Sequence, residues 1–171
     1  MSLLNVEIKA RYQRTEETDR VIRSLGAQFQ GVNHQIDIYF EVPNGRLKLR
    51  QQEIGPDYLV FYDRDDRTVP KESRYLLAPV ENVKDVLDVL GASLGIRTEV
   101  RKKREFWLWR NVRIFFDEVE QLGSFLELES VCENGITIDK ARRQVSLLVH
   151  LFGIQEEDLV AVSYSDLRGS Q

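Results

Sequence analysis

Leu3-Leu4-Asn5-Val6-Glu7-Ile8-Lys9-Ala10-Arg11-Tyr12 alternates along its length. Leu4, Val6, Ile8 and Ala10 share one face of an extended chain, and Asn5, Glu7, Lys9 and Arg11 share the other. A period of two is that of a strand whose faces meet different surroundings.

Similar extended segments recur downstream. His34–Val42 and Arg46–Glu53 flank Pro43-Asn44-Gly45, and an Asn-Gly step between alternating segments is a strong hairpin signal. Asp57–Arg64 follows Gly55-Pro56, and the polar stretch Asp65–Pro70 leads to a strand over Lys71–Ala78. Thr98–Trp109 and Val112–Val119 sit either side of a tight turn at Arg110-Asn111, and Ser124–Val131 is the last clear strand. Helices are fewer. Thr15 can cap a first one, with Thr18 at the position where a capping box prefers Glu, with Val21, Ile22, Leu25 and Phe29 at roughly helical spacing and Gly26 as its stop. Glu81–Leu90 carries Val83, Val86, Leu87 and Leu90 on one face, and Thr137 can cap Ile138–Phe152. A short helix at Gln155–Leu159 and a tail at Val162–Leu167 finish the pattern. About eight sequential strands with short connections predict a mainly β (α+β) domain: a closed, eight-stranded antiparallel barrel with a few flanking helices, its interior wide enough for side chains or one small ligand.

The bulk numbers agree with one domain. The chain has 171 residues, 42% of them hydrophobic, and a formal net charge of −4. That balance argues against whole-surface attraction to nucleic acid or anionic lipid. The single cysteine, Cys132, excludes an internal disulfide, and no apolar run approaches the roughly 20 residues that span a bilayer. The opening residues lack the apolar core of a signal peptide, so the expected location is the cytoplasm. Association into a homodimer through a barrel face stays open, with no interface legible.

The polar faces of the strands carry the chemistry. Glu7 and Lys9 lie on the first; Arg46, Lys48 and Arg50 on the third; Arg64 ends the fourth and Lys71 begins the fifth. Lys102 and Arg104 share a face of the sixth, Arg113 and Asp117 a face of the seventh, and Glu127 and Glu129 a face of the eighth. Polar-out alternation is what any half-exposed sheet shows, but solvent-facing strands usually mix Thr, Ser and Gln among their charges. Arginine forks and lysine point charges suit phosphate oxygens, while clustered carboxylates suit hard cations such as Mg²⁺ or Mn²⁺. Together they suit a metal-bound polyphosphate. The chain has no P-loop, no G-x-G-x-x-G and no H-E-x-x-H, so neither a nucleotide-binding glycine loop nor a helical zinc motif supplies the chemistry. His34 and His150 are read as surface or strand-start residues, Cys132 as filler, and Trp107 and Trp109 as packing under a helix.

These residues also carry a resemblance. Asn5-Val6-Glu7-Ile8-Lys9 is similar to the E-x-E-x-K opening of CYTH domains, the group that joins class IV adenylyl cyclases, thiamine triphosphatases and tripolyphosphatases. Gln35–Phe40, Arg46–Arg50 and Val100–Arg104 resemble that family's second, third and sixth strands. Asp117–Glu129 resembles its D-x-V-x-x-L-G-x-F-x-E-x-E signature, and Tyr164-Ser165-Asp166-Leu167 the ending of its cyclase-like branch. The resemblance implies a triphosphate tunnel requiring Mg²⁺ or Mn²⁺, with Glu7, Glu127 and Glu129 on the metal and Asp117 close by. It implies phosphate contacts from Lys9, Arg46, Lys48, Arg50, Lys102, Arg104 and Arg113, with Arg64 and Lys71 as further candidates although neither cleanly matches the family's fourth-strand lysine. Glu7, Lys9 and Glu129 are the expected catalytic group. Asn5 departs from the motif, since its amide can ligate a metal through the carbonyl but brings no charge, which implies weaker metal affinity or one site fewer.

The expected substrate is a small triphosphate: tripolyphosphate, ATP or thiamine triphosphate. Hydrolysis, in which metal-activated water attacks the terminal phosphorus, ranks first because it needs only polyphosphate and water. Cyclisation of ATP to cyclic AMP and pyrophosphate needs the same charged tunnel. A non-catalytic phosphate-binding module is the third reading. Acids concentrate on the first, seventh and last strands and bases on the rest, which predicts a metal side and a phosphate side.

Overall fold

Alternating strands leave one question open, namely which face looks inward, and the computed structural model, which describes residues 3–169, answers it. The strands are β1 (Leu3–Arg11), β2 (Gln28–Phe40), β3 (Arg46–Gln52), β4 (Asp57–Arg64), β5 (Lys71–Val80), β6 (Ile96–Trp109), β7 (Val112–Val119) and β8 (Gly123–Val131). They close into a barrel in the order β1-β5-β4-β3-β2-β6-β7-β8, every pair antiparallel. The expected eight-stranded barrel is what the chain forms. Its polar faces point in and its apolar faces point out, the reverse of an ordinary core.

The outward apolar faces are then covered. Helix α1 (Glu16–Leu25) and helix α3 (Ile138–Leu151) pack on β1, β7 and β8, where Val6, Ile8, Ile114, Leu128, Val145 and Leu148 form a buried cluster. Helix α2 (Val83–Leu94) rests on Ile38, Phe40 and Leu49 through Val83, Val86, Leu87 and Leu90, the face its spacing predicts. None of its residues is fully buried, so it is a cover over β2 and β3 and not a core helix. The tail makes one turn of 3₁₀ helix (Glu156–Asp158) and helix α4 (Tyr164–Gly169), which packs against β6 with Val119, Leu122 and Phe125. No helix among the described residues is long and apolar enough to cross a membrane.

Local signals explain most boundaries. Thr15 and Thr18 form a reciprocal capping box, so threonine does at the third helical position what glutamate usually does. Gly26 ends α1 in the left-handed conformation at φ 65°. Phe29 corrects the helical expectation. It belongs to β2, opposite Trp107, with the rings 5.1 Å apart. The chain turns into a strand directly after Gly26, so the residue at the spacing of a last helical turn is the start of β2. Arg110 takes the left-handed φ of 55° between β6 and β7, as a two-residue turn requires. At Gly45, φ is 64° and an added Cβ would meet the Phe61 ring at 2.8 Å, so glycine alone lets β3 begin where it does.

Candidate functional site

Inward alternation on neighbouring strands brings charged side chains into one cavity of about 230 Å³. Glu7 and Lys9 reach it from β1, Lys48 and Arg50 from β3, and Arg64 from β4; Lys102 and Arg104 come from β6, Arg113 from β7, and Glu127 and Glu129 from β8. Three expected residues lie off this lining. Asp117 is 1% exposed, behind Arg104 and Lys102. Arg46 is held by Asp66 and Asp166 at 2.7 and 2.8 Å. Lys71 donates to the carbonyls of Arg67 and Ala161.

Buried acids organise the bases. Asp37, fully buried on β2, accepts from Lys48 at 2.9 Å and from Arg50 at 2.7 and 2.8 Å. Asp117 accepts two bonds from Arg104, at 2.7 and 2.5 Å, and a third from the Tyr164 hydroxyl at 2.9 Å. Lys102 lies between these carboxylates, 3.6 Å from Asp37 and 3.7 Å from Asp117. Glu127 pairs with Lys9 at 3.1 Å and with Arg104. Burial alone would raise these acids; instead Arg50, Lys48 and Lys102 hold Asp37 well below the usual carboxylate range, and Lys9 and Arg104 do the same for Glu127.

The lysines shift the other way. Burial, and Arg50 beside it, lower Lys48 to about 7 against the pull of Asp37; burial and Arg104 lower Lys102 to about 8. The unfolded chain, with ordinary lysines, binds more protons than the fold between about pH 7 and 10, so these two residues make stability rise with pH there. An anion needs them charged, so their contribution to tripolyphosphate affinity falls over the same interval. Melting and titration calorimetry at pH 6.5 and 9 test this, and Lys48→Met should flatten both trends. Trends that the substitution leaves untouched would mean Lys48 does not titrate there.

The metal side is less crowded. Glu7 and Glu129 stand directly opposite each other in the β1–β8 register, a like-charge pair that costs free energy unless a cation lies near. Arg64 contacts Glu7, and Arg113 is 3.7 Å from Glu129. The Asn5 amide nitrogen lies 3.4 Å from Glu129, and its Oδ1 is buried with no hydrogen-bond partner. Asn5, Glu7 and Glu129 line the same cavity, and their side-chain oxygens are donors of the kind Mg²⁺ and Mn²⁺ take. Among the described residues, no three His, Cys, Asp or Glu side chains converge on one point. The residues that could hold a cation are Glu7, Glu129 and Asn5, with Glu7 then shared with Arg64, whereas Asp117 lies off the lining and Glu127 is paired with both Lys9 and Arg104.

The tail closes one side of the tunnel. Val160 donates its amide to the Lys9 carbonyl, Ser163 and Tyr164 line the cavity, and Lys9 sits 3.6 Å over the Tyr164 ring. Asp166 ties Arg46 of β3 to Arg97 of β6, the latter at 2.9 Å. A neighbouring depression shares Tyr58, Arg113 and Phe115 with the cavity lining and adds Phe106, which makes an aromatic rim. The expected two-sided layout holds in part. β7, β8 and β1 are neighbours, but Asp37 places a carboxylate among the bases. Asp37, the tunnel tyrosines and Asp166 are site residues that strand alternation alone does not single out, although the matching pattern Gln35–Phe40 puts Asp37 on the same face as Gln35 and Tyr39.

The fold and the lining define a closed eight-stranded barrel with a charged lumen. More narrowly, the chain belongs to the CYTH domain family, whose model matches residues 3–164. A relative from Methanocaldococcus jannaschii, provisionally named an adenylate cyclase, is 24% identical over 98% of this chain and 99% of its own. A solved Pyrococcus horikoshii protein shares 26% identity with a TM-score of 0.83, over 95% of this chain and 98% of the other. A Hippeastrum protein also named for adenylyl cyclase activity, and described as having dominant triphosphatase activity, has the same fold at 11% identity and a TM-score of 0.64, over 98% and 95% of the two chains.

Proposed function

We propose that this chain hydrolyses a triphosphate in its tunnel with Mg²⁺ or Mn²⁺. The observation that supports it is the meeting of Lys9, Lys48, Arg50, Lys102 and Arg104 with the Glu7–Glu129 pair and the orphaned Asn5 oxygen in one small cavity. At about 230 Å³ this cavity is below the roughly 300–1,000 Å³ typical of organic-ligand pockets, so it suits a phosphate chain, with any organic group left at the aromatic rim. A bound metal supplies charge neutralisation and Lewis acidity at the phosphate oxygens. Glu7, Glu129 and Asn5 would hold it. Lys9, Lys102 and Arg104 hold non-bridging oxygens and stabilise the charge that shifts as water attacks the terminal phosphorus and loses its proton to solvent, the bridging P–O bond breaks with its electrons going to the remaining phosphate chain, and the attacked phosphorus is released as orthophosphate.

The provisional name of the M. jannaschii relative and the aromatic rim favour a second reading. In it, the ribose 3′-hydroxyl of ATP attacks the α-phosphorus and pyrophosphate leaves. One experiment separates them. Tripolyphosphate, ATP and thiamine triphosphate are each incubated with the protein and Mg²⁺ or Mn²⁺, and the products resolved. Orthophosphate is expected; cyclic AMP with pyrophosphate would replace hydrolysis by cyclisation. No metal-dependent product from any of them would reduce the chain to a binding module.

A further inference from the structure

The geometry points to Asp37 as a positioning residue for the phosphate chain: its carboxylate aims Lys48, Arg50 and Lys102 into the cavity without itself touching what they bind. The inference rests on the tunnel holding a polyphosphate. Three observations carry it. Asp37 is 0% exposed and absent from the cavity lining, while the three bases all line it. Its position toward the end of β2 puts it opposite Arg50 on β3 and, two pairs along the ladder in opposite directions, within reach of Lys48 on β3, which pairs with Tyr39, and Lys102 on β6, which pairs with Gln35. Its oxygens are divided among them: Oδ1 accepts from Arg50 Nε, and Oδ2 accepts from Arg50 Nη2 and Lys48 Nζ and lies 3.6 Å from Lys102.

A buried carboxylate among bases could do no more than neutralise them. The two roles differ in sign. If Asp37 only offsets charge, removing that charge leaves the tunnel more positive, and an anion binds more tightly. If it positions, the bases lose the acceptor that fixes their rotamers. Each must then be ordered at the moment of binding, and an anion binds more weakly. Long flexible side chains lose the most from such freedom, and two of the three are lysines.

The test compares tripolyphosphate binding to the wild type, Asp37→Asn and Asp37→Glu by titration calorimetry with a chelator present, so that turnover does not intervene. Melting curves establish that each variant is folded. Positioning predicts that both variants bind about ten- to a hundredfold more weakly, including Asp37→Glu, which keeps the charge and moves it by one methylene. Tighter binding by Asp37→Asn, or wild-type binding by Asp37→Glu, overturns the inference. If neither variant folds, wild-type crystals grown with and without tripolyphosphate decide. The contacts of Lys48 and Arg50 with Asp37 should be the same in both, and an anion that pulls them off Asp37 overturns it. A wild type that does not bind tripolyphosphate at all removes the functional reading and this inference with it. Normal wild-type binding with unchanged variants removes this inference alone.

Discussion

Glu129→Gln should lower metal-dependent turnover by about a hundred- to a thousandfold while shifting the melting midpoint by no more than about 3 °C. The two halves of that expectation have separate causes. Glu129 is lightly held: the Asn5 amide is at 3.4 Å and Arg113 at 3.7 Å, and its side chain is 19% exposed. Partly solvated pairs at such distances contribute about 1 kcal/mol or less, so neutralising the acid costs the fold little. Glutamine keeps the shape and one oxygen but removes the negative charge that faces Glu7 across the β1–β8 ladder. A cation held by two carboxylates and an amide would then have one charged ligand left. Asn5 sharpens the expectation, because this site has no further carboxylate at that position to take over. Glu127→Gln is the contrast. It unpairs Lys9 and Arg104, so it should lower the melting midpoint clearly as well as activity. Steady-state rates at saturating Mn²⁺, together with thermal melts of both variants, make the comparison. Wild-type turnover in Glu129→Gln would remove Glu129 from the cation site, and loss of cooperative melting would make it a structural residue.

The barrel is legible in the sequence because it rests on local signals. Strand alternation, the Asn44-Gly45 turn and the threonine caps are short-range features, and most elements can be traced to them; helix α4, in what reads as a tail, and the first six residues of β2 cannot. The boundaries that differ do so for tertiary reasons. Phe29 sits at helical spacing from Leu25, yet the long pairing of β2 with β6 claims it. The charged lining is legible too, since inward residues recur at alternate positions on each strand. Which acid serves which base is not. Glu127 and Glu129 are equivalent in the sequence, two apart on one face. Only closure of the barrel puts Lys9 and Arg104 on the first and leaves the second facing Glu7. Asp117 reads as a metal neighbour because its signature resembles one, and its burial behind Arg104 depends on Tyr164, almost fifty residues downstream. Arg46 looks like Lys48 and Arg50, its partners at alternate positions, but it lies at the strand end where Asp66 and the tail reach it. Register, closure and the tail are long-range facts, and they sort one charged residue from the next.

Arg104→Gln should be the most damaging single change, lowering stability by about 3–5 kcal/mol at neutral pH in addition to loss of turnover. Arg104 is 6% exposed and serves two acids at once, Asp117 through two bonds and Glu127 through a third. Glutamine cannot supply that charge, so both carboxylates stay buried with reduced compensation: Lys102 at 3.7 Å for Asp117, Lys9 at 3.1 Å for Glu127. At this chain length the loss corresponds to a drop of roughly 6–20 °C in melting midpoint. The pH dependence separates this cause from simple loss of packing. In the wild type both acids lie below their unfolded values, so their stabilising effect is present above about pH 4–5 and lost as pH falls through the depressed folded values. In the variant, burial without the guanidinium pushes the same acids upward, and protonation relieves the strain on them. The wild type therefore loses stability on acidification while the variant loses less, and the gap between their melting midpoints should narrow from pH 7 to pH 4. A gap of constant size over that range would assign the damage to the missing side-chain volume against Phe115, whose ring centroid lies 4.1 Å from the guanidinium, and not to the two carboxylates.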